Sequence, residues 1–121
     1  MVREILYLTI YQSAMSGTKS KGWCFTINNP TTTDFDNCVN LLDLAEYVVY
    51  GNETGEQGTP HIQGFVKFKH PQHLKRLKQL LPRAHLEQQR GTAKQAADYC
   101  KKDGDYVEHG VAPTLVLTVQ E

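Results

Sequence analysis

The hydrophobic patterns along this chain predict an α+β fold: a central antiparallel β-sheet of about five strands in split βαβ topology, with the helices mainly on one face. Three observations carry that reading. The runs "GWCFTIN", "EYVVYG" and "HIQGFVKF" alternate with period two, as half-buried strands do. Stretches with apolar residues three and four apart lie between them and read as amphipathic helices. Turn chemistry separates the segments, giving the order strand, helix, strand, strand, helix, strand, helix, strand.

The first strand alternates Trp23, Phe25 and Ile27 against Cys24, Thr26 and Asn28 and ends at Asn29-Pro30. "TTTD" then offers N-cap hydroxyls to a helix with Phe35, Cys38, Val39 and Leu42 at helical spacing. After the strand "EYVVYG", the glycine-rich connection "GNETGEQGTP" leads into "HIQGFVKF". There Ile62, Val66 and Phe68 share one face, while His61, Gln63, Phe65 and Lys67 share the other. Pro71 suits the first turn of a helix burying Leu74, Leu77 and Leu81, with Lys75, Arg76 and Lys78 outward. "AHLEQQ" is a short strand, Gly91-Thr92 caps a helix "AKQAADYCKK" that stops at Asp103-Gly104, and "DYVEHG" is the last strand.

A chain of 121 residues is one domain, and 40% hydrophobic with 21% charged residues reads as globular rather than disordered. We place the folded domain at 21–110. Residues 1–20 are read as an N-terminal extension, either an added edge strand from "REILYLTIYQ" or a flexible leader, and residues 111–121 as a tail or linker. No apolar run approaches the roughly 20 residues that span a bilayer, so no membrane partner is expected. The three cysteines, Cys24, Cys38 and Cys100, are widely spaced and read as reduced thiols of an intracellular protein.

Net charge is zero, yet the charges are segregated. From Thr31 to Val66 there are six acids and no Lys or Arg; from Lys67 to Lys102 there are ten bases against Glu87 and Asp98. Such a chain can offer one surface to phosphate and another to cations, although solvated faces of an ordinary domain account for the segregation as well.

His61 and Gln63 project from one strand face about 7 Å apart at Cα and offer an imidazole nitrogen and an amide oxygen. Glu53 comes beside them if its strand pairs antiparallel across the glycine loop. One carboxylate, one imidazole and one amide oxygen suit Mg²⁺ or Mn²⁺ better than structural zinc. A lone strand histidine is more often structural, so this set is weak by itself. On the last helix, Tyr99 and Lys102 lie three residues apart and share a face with Gln95. Beside a dication such a phenol is set up for in-line displacement at phosphorus, whereas without one the pair is an ordinary amphipathic surface.

Together "CFTINNP", "GTPHIQGF" and "DYCKK", in this order and at these separations, resemble the replication initiator (Rep) endonuclease domain of circular single-stranded DNA viruses, circovirus- and nanovirus-like. The resemblance covers roughly Lys21 to Gly110 and implies a ferredoxin- or RRM-like sheet. These domains are HUH endonucleases, named for a His-hydrophobic-His metal motif, and Gln63 stands where the second histidine would be, as is usual in the circovirus-like branch. The resemblance implies that Glu53, His61 and Gln63 hold a divalent metal, Mg²⁺ or Mn²⁺. It implies that Tyr99 is the nucleophile forming a 5′-phosphotyrosyl link, releasing a 3′-hydroxyl that primes rolling-circle replication, with Lys102 assisting. Asn28 and Asn29 are expected to make polar DNA contacts, and Lys67, Lys69, Lys75, Arg76, Arg90 and Lys94, together with Lys78 and Arg83, to track the phosphate backbone. His85 and Glu87 share a strand face that could border the metal or simply be a satisfied polar face.

The implied partner is single-stranded DNA at an origin stem-loop in the host nucleus, with host replication proteins and self-association expected of a full-length protein. No GxxxxGK[ST] phosphate loop is present, so helicase activity is not assigned. Three rival readings stay open: a non-catalytic RRM-like nucleic-acid-binding module, in which Phe65 would stack on bases; a zinc protein using His70, His73, His85 and a cysteine; and a degenerate, inactive copy.

Overall fold

The computed structural model describes residues 18–55 and 58–114. In chain order these form β1 (Lys19–Asn28), α1 (Thr32–Asn40), a 3₁₀ turn (Leu41–Asp43), β2 (Ala45–Thr54), β3 (Pro60–His73), α2 (Leu74–Leu80), β4 (His85–Gln88), α3 (Ala93–Cys100) and β5 (Tyr106–Gly110). The strands make one sheet in the order β4-β1-β3-β2-β5, and every neighbouring pair is antiparallel. The fold is therefore the α+β, five-stranded arrangement that the patterns predict. The edge strand or leader read before β1, and most of the tail read after β5, lie outside the described residues.

Strand alternation sorts the apolar side chains onto two faces. On one, Trp23, Phe25 and Ile27 of β1 join Val48 and Tyr50 of β2 and Ile62, Val66 and Phe68 of β3, against Cys38, Leu41, Leu74, Leu77 and Leu81. Each large side chain fully buried there contributes about 1.5–3 kcal/mol. On the other face a smaller cluster joins Tyr47, Val49 and Phe65 to Ala97 and Cys100 of α3. Among the described elements, helices α1 and α2 share the first face and α3 alone crosses the second.

Capping explains where two helices start. The Thr31 hydroxyl accepts from the Asp34 N–H at 3.2 Å, and the Asp34 carboxylate accepts from the Thr31 N–H at 2.8 Å. Thr92 and Gln95 repeat this reciprocal box at α3, at 3.1 and 2.9 Å. Three details differ from the sequence reading. Val39 is exposed although its spacing matched the buried stripe, because α1 docks through Asp34 and Cys38. Helix α2 begins at Leu74 instead of near Pro71, because β3 continues to His73, whose partner is Lys19, and Gln72 pairs with Ser20. Pro71 sits where the ladder is irregular and needs no donor. Helix α3 ends at Cys100, so Lys102 lies in the following turn, which closes at Gly104 with φ 81°.

Candidate active site

The β2–β3 register sets Glu53 opposite His61 and Gly51 opposite Gln63, while the β1–β3 register sets Thr26 opposite Gln63 and Asn28 opposite His61. These side chains stand on the face that α3 crosses, beyond the end of the small apolar cluster. Cross-strand neighbours on one face lie close enough to touch. His61 Nε2 lies 3.0 Å from Glu53 Oε1, and the Thr26 hydroxyl donates to Gln63 Oε1 at 3.2 Å.

Glu53 is buried, which a carboxylate tolerates only when paired. Its pairing is lopsided. Lys102 Nζ lies 3.2 Å from the same Oε1 that meets His61, whereas Oε2 is buried with no partner among the described residues. Lys102 comes from the turn after α3, a long way along the chain, and its ammonium also sits 3.8 Å from the centroid of the Tyr99 ring. Two short legs through one ammonium thus link the phenol to the carboxylate. The neighbouring Tyr99 side chain is the main cause raising the Lys102 pKa above its ordinary value; partial burial opposes it and Glu53 adds to it. Lys102 is a firm cation.

Glycine at position 51 is what lets α3 arrive. A Cβ there would lie 2.1 Å from the Cys100 carbonyl oxygen, so the helix end rests on bare backbone between Tyr99 and Lys102. Burial pushes the Cys100 thiol up to about 12, so it is packing and not a nucleophile. The far end of the same region is held by Glu108 of β5, which accepts from the Tyr47 hydroxyl at 2.5 Å and from Lys101 Nζ at 2.9 Å. Lys101, and then Tyr47, hold the Glu108 carboxyl below its ordinary range despite burial.

Tyr99 is 54% exposed and opens onto a cleft of about 500 Å³, lined also by Thr26, Gln63, His85, Glu87 and Arg90. His85 Nε2 lies 3.3 Å from Glu87 Oε1, and Arg90 Nε is 3.5 Å from Glu87 Oε2. The β4 pair therefore borders the cleft that holds Gln63 and Tyr99. Gln95 borders it too, although its side-chain oxygen is engaged in the α3 cap.

The residues expected on DNA are scattered. Asn28 and Asn29 are exposed at the end of β1 beside His61, with Asn29 at φ 49°, and Arg90 reaches the cleft. Lys94 is exposed near the start of α3 and paired with Asp98 at 2.6 Å. Lys69 is exposed near the end of β3, and Lys67 lines a separate depression with Glu46 and Tyr47. Lys75 and Arg76 are exposed on α2, which packs on the opposite face of the sheet from Tyr99. Arg83 is committed elsewhere: it pairs with buried Asp34 and donates to the Asn28 carbonyl at 3.0 Å. That clamp, like the Thr26–Gln63 bond, escaped the sequence reading. The Thr31-to-Asp34 capping spacing and the side-chain alternation of β1 were the only local signals of either.

Two rivals lose support. Phe65 is fully buried against Ala97 and Cys100, so it offers no stacking surface. Among the described residues no three His, Cys, Asp or Glu side chains converge as a zinc site would require. No helix among the described residues is long and apolar enough to cross a membrane.

Comparison with known proteins identifies the family. The chain is 45% identical over 92 residues to the replication-associated protein of beak and feather disease virus, covering 75% of this chain and 32% of that protein. It is 46% identical over 87 residues to the pigeon circovirus replication-associated protein, covering 71% and 27%. It is 41% identical over 86 residues to the master replication protein of banana bunchy top virus, covering 71% and 28%. The chain thus spans about a third or less of the length of these relatives. A sequence model of viral replication proteins matches residues 20–103, and the chain belongs to that family.

Proposed function

We propose that this chain nicks and rejoins single-stranded DNA at a viral replication origin through a covalent 5′-phosphotyrosine, initiating rolling-circle replication. The observation that carries the reading is the convergence of His61 and Lys102 on one oxygen of buried Glu53, with the Tyr99 ring against the same ammonium. A solvated surface pair has no reason to bury an acid in this way.

The residues fit a divalent cation. Glu53 keeps a buried oxygen without a partner, an arrangement that costs free energy unless something positive meets it. Gln63 retains one lone pair on its amide oxygen beside the Thr26 bond, and the oxygen-rich set suits Mg²⁺ or Mn²⁺. Glu53, His61 and Gln63 would hold the ion, which when bound draws charge from the oxygens of the scissile phosphate. Tyr99 supplies the nucleophile from the rim of the cleft: its phenolic oxygen, giving up its proton to solvent, bonds to phosphorus as the bond to the 3′-oxygen breaks, and that oxygen takes up a proton from solvent to leave a 3′-hydroxyl for priming. Lys102 offers its charge to the phosphate and the phenol. Because the phosphotyrosyl bond retains the energy of the phosphodiester, the reverse reaction joins ends without ATP.

In this reading Asn28, Asn29 and Arg90 contact DNA nearest the site, and Lys67, Lys69 and Lys94 follow the backbone outward; Lys75 and Arg76 would meet only a strand that wraps the sheet. Residues 21–110 form the endonuclease unit of an initiator acting in the host nucleus, where a longer protein would self-associate and meet host replication proteins. The test is a single-stranded oligonucleotide carrying a circovirus-like origin, incubated with Mn²⁺ and run on a denaturing gel. We expect a covalent adduct that disappears with Tyr99→Phe and with chelator. Binding retained under all three conditions with no adduct would instead identify a non-catalytic module.

A further inference from the structure

Glu53 has one oxygen crowded and one bare. His61 Nε2 and Lys102 Nζ both meet Oε1, at 3.0 and 3.2 Å, while Oε2 is buried and unpartnered among the described residues. The carboxylate side chain is only 6% exposed, so water solvates its charge poorly and a neighbouring cation must balance it. Lys102 supplies it, yet the lysine side chain is itself 39% exposed and reaches in from a turn, beyond the last residue of α3. A buried anion held by a solvent-accessible cation is an arrangement that a better cation can take over.

We propose that Lys102 is the placeholder for the divalent ion: it neutralises Glu53 until the ion arrives and is then displaced toward Tyr99 and the substrate phosphate. The inference rests on the reading above that Glu53, His61 and Gln63 hold the ion. An ammonium and a dication cannot both lie against one buried carboxylate at small cost, since like charges a few ångströms apart repel strongly in a poorly solvated site. The place to which Lys102 would withdraw is already in reach, because its Nζ lies against the Tyr99 ring. Lys102 thereby serves two positions in turn. Loading of the ion turns a structural counter-charge into one directed at the reacting groups, and the preformed Glu53–Lys102 pair weakens binding of the ion in proportion to its own strength.

The test measures Mn²⁺ binding without DNA, by titration calorimetry on the full chain, for wild type, Lys102→Met, Lys102→Arg and Glu53→Gln. Methionine keeps an apolar stem of similar length and removes the charge, so competition ends. Charge-assisted hydrogen bonds to buried groups imply roughly tenfold tighter binding, up to about a hundredfold, for Lys102→Met. Lys102→Arg keeps the competitor and should stay near wild type. Thermal unfolding gives an independent reading in case the variant is weakened: Lys102→Met should melt below wild type without metal, and Mn²⁺ should raise its melting temperature by more than it raises that of wild type. Unchanged or weaker Mn²⁺ binding by folded Lys102→Met, with Glu53→Gln still impaired, overturns the placeholder and leaves the metal site standing. Equal binding by wild type and Glu53→Gln removes the metal site itself, and the placeholder with it.

Discussion

Replacing Gly51 with alanine tests whether the seating of α3 on the sheet governs both stability and the site. The added methyl would lie 2.1 Å from the Cys100 carbonyl oxygen and 3.3 Å from the carbonyl carbon, with the Asp105 carbonyl oxygen at 3.4 Å. These are backbone atoms on both sides, so no side chain can swing away. Ordinary contact begins near 3.4 Å, so the difference from 2.1 Å requires the end of α3 to lift by about 1.3 Å. Overpacking of this kind costs about 1–3 kcal/mol, a fall in melting temperature on the order of 10 °C for a domain of this size. The displaced residue lies between Tyr99 and Lys102, so the phenol and the ammonium move together away from Glu53. A misplacement on the order of 1 Å at reacting groups lowers the rate by roughly a hundredfold. The assays are thermal unfolding followed by circular dichroism and the rate of covalent adduct formation on the origin oligonucleotide. Gly55→Ala is the control, because among the described residues its added methyl would meet nothing closer than the Thr59 carbonyl oxygen at 3.5 Å; it should change stability by no more than about 0.5 kcal/mol. A Gly51→Ala protein that melts and reacts like wild type would refute the view that this close approach positions the site.

Two further outcomes follow from the opposite face. Burial raises the Asp34 pKa, but the Thr31 N–H and hydroxyl and the Arg83 guanidinium outweigh it and hold the carboxyl below its ordinary value. A carboxyl depressed on folding stabilises the protein above its unfolded pKa and loses that contribution as pH falls through the lower folded value. Stability should therefore decline below about pH 4, and pH-dependent urea melts should show a shallower decline for Asp34→Asn, which should also be less stable at neutral pH by about 1–3 kcal/mol. Leu77→Ala, at a fully buried position among the α2 contacts, should lose about 2–5 kcal/mol in urea unfolding while its adduct yield per folded molecule stays at the wild-type level, because that cluster lies across the sheet from Tyr99.

Much of the fold was legible because the decisive signals are local. Alternation in "GWCFTIN" and "HIQGFVKF" needs no partner to be read: it put Phe25 and Ile27 on one face of their strand and Ile62, Val66 and Phe68 on one face of theirs, and the β1–β3 register then joined the two sets. The Thr31 and Thr92 caps were equally visible, since a capping box spans four residues. Boundaries were less secure. Pro71 reads as a helix start in isolation, and only pairing with Lys19 and Ser20 keeps it in an extended strand. Phe65 could have been a stacking platform by sequence, and the helix lying over it decided otherwise.

The candidate site divides along the same line. The sequence by itself determined that His61 and Gln63 share a face, because a period of two is a property of the extended backbone, whereas Tyr99 and Lys102, expected on one helix face, meet through the turn that follows α3. It also carried the three ordered motifs by which the family is recognised. Only the tertiary structure decided that Lys102 meets Glu53, that one carboxylate oxygen is doubly engaged while the other is bare, and that Arg83 is committed to Asp34 instead of standing free for phosphate. The physical reason is that these contacts join residues tens of positions apart. Their distances depend on strand register and on how closely α3 settles over Gly51, which no single segment encodes.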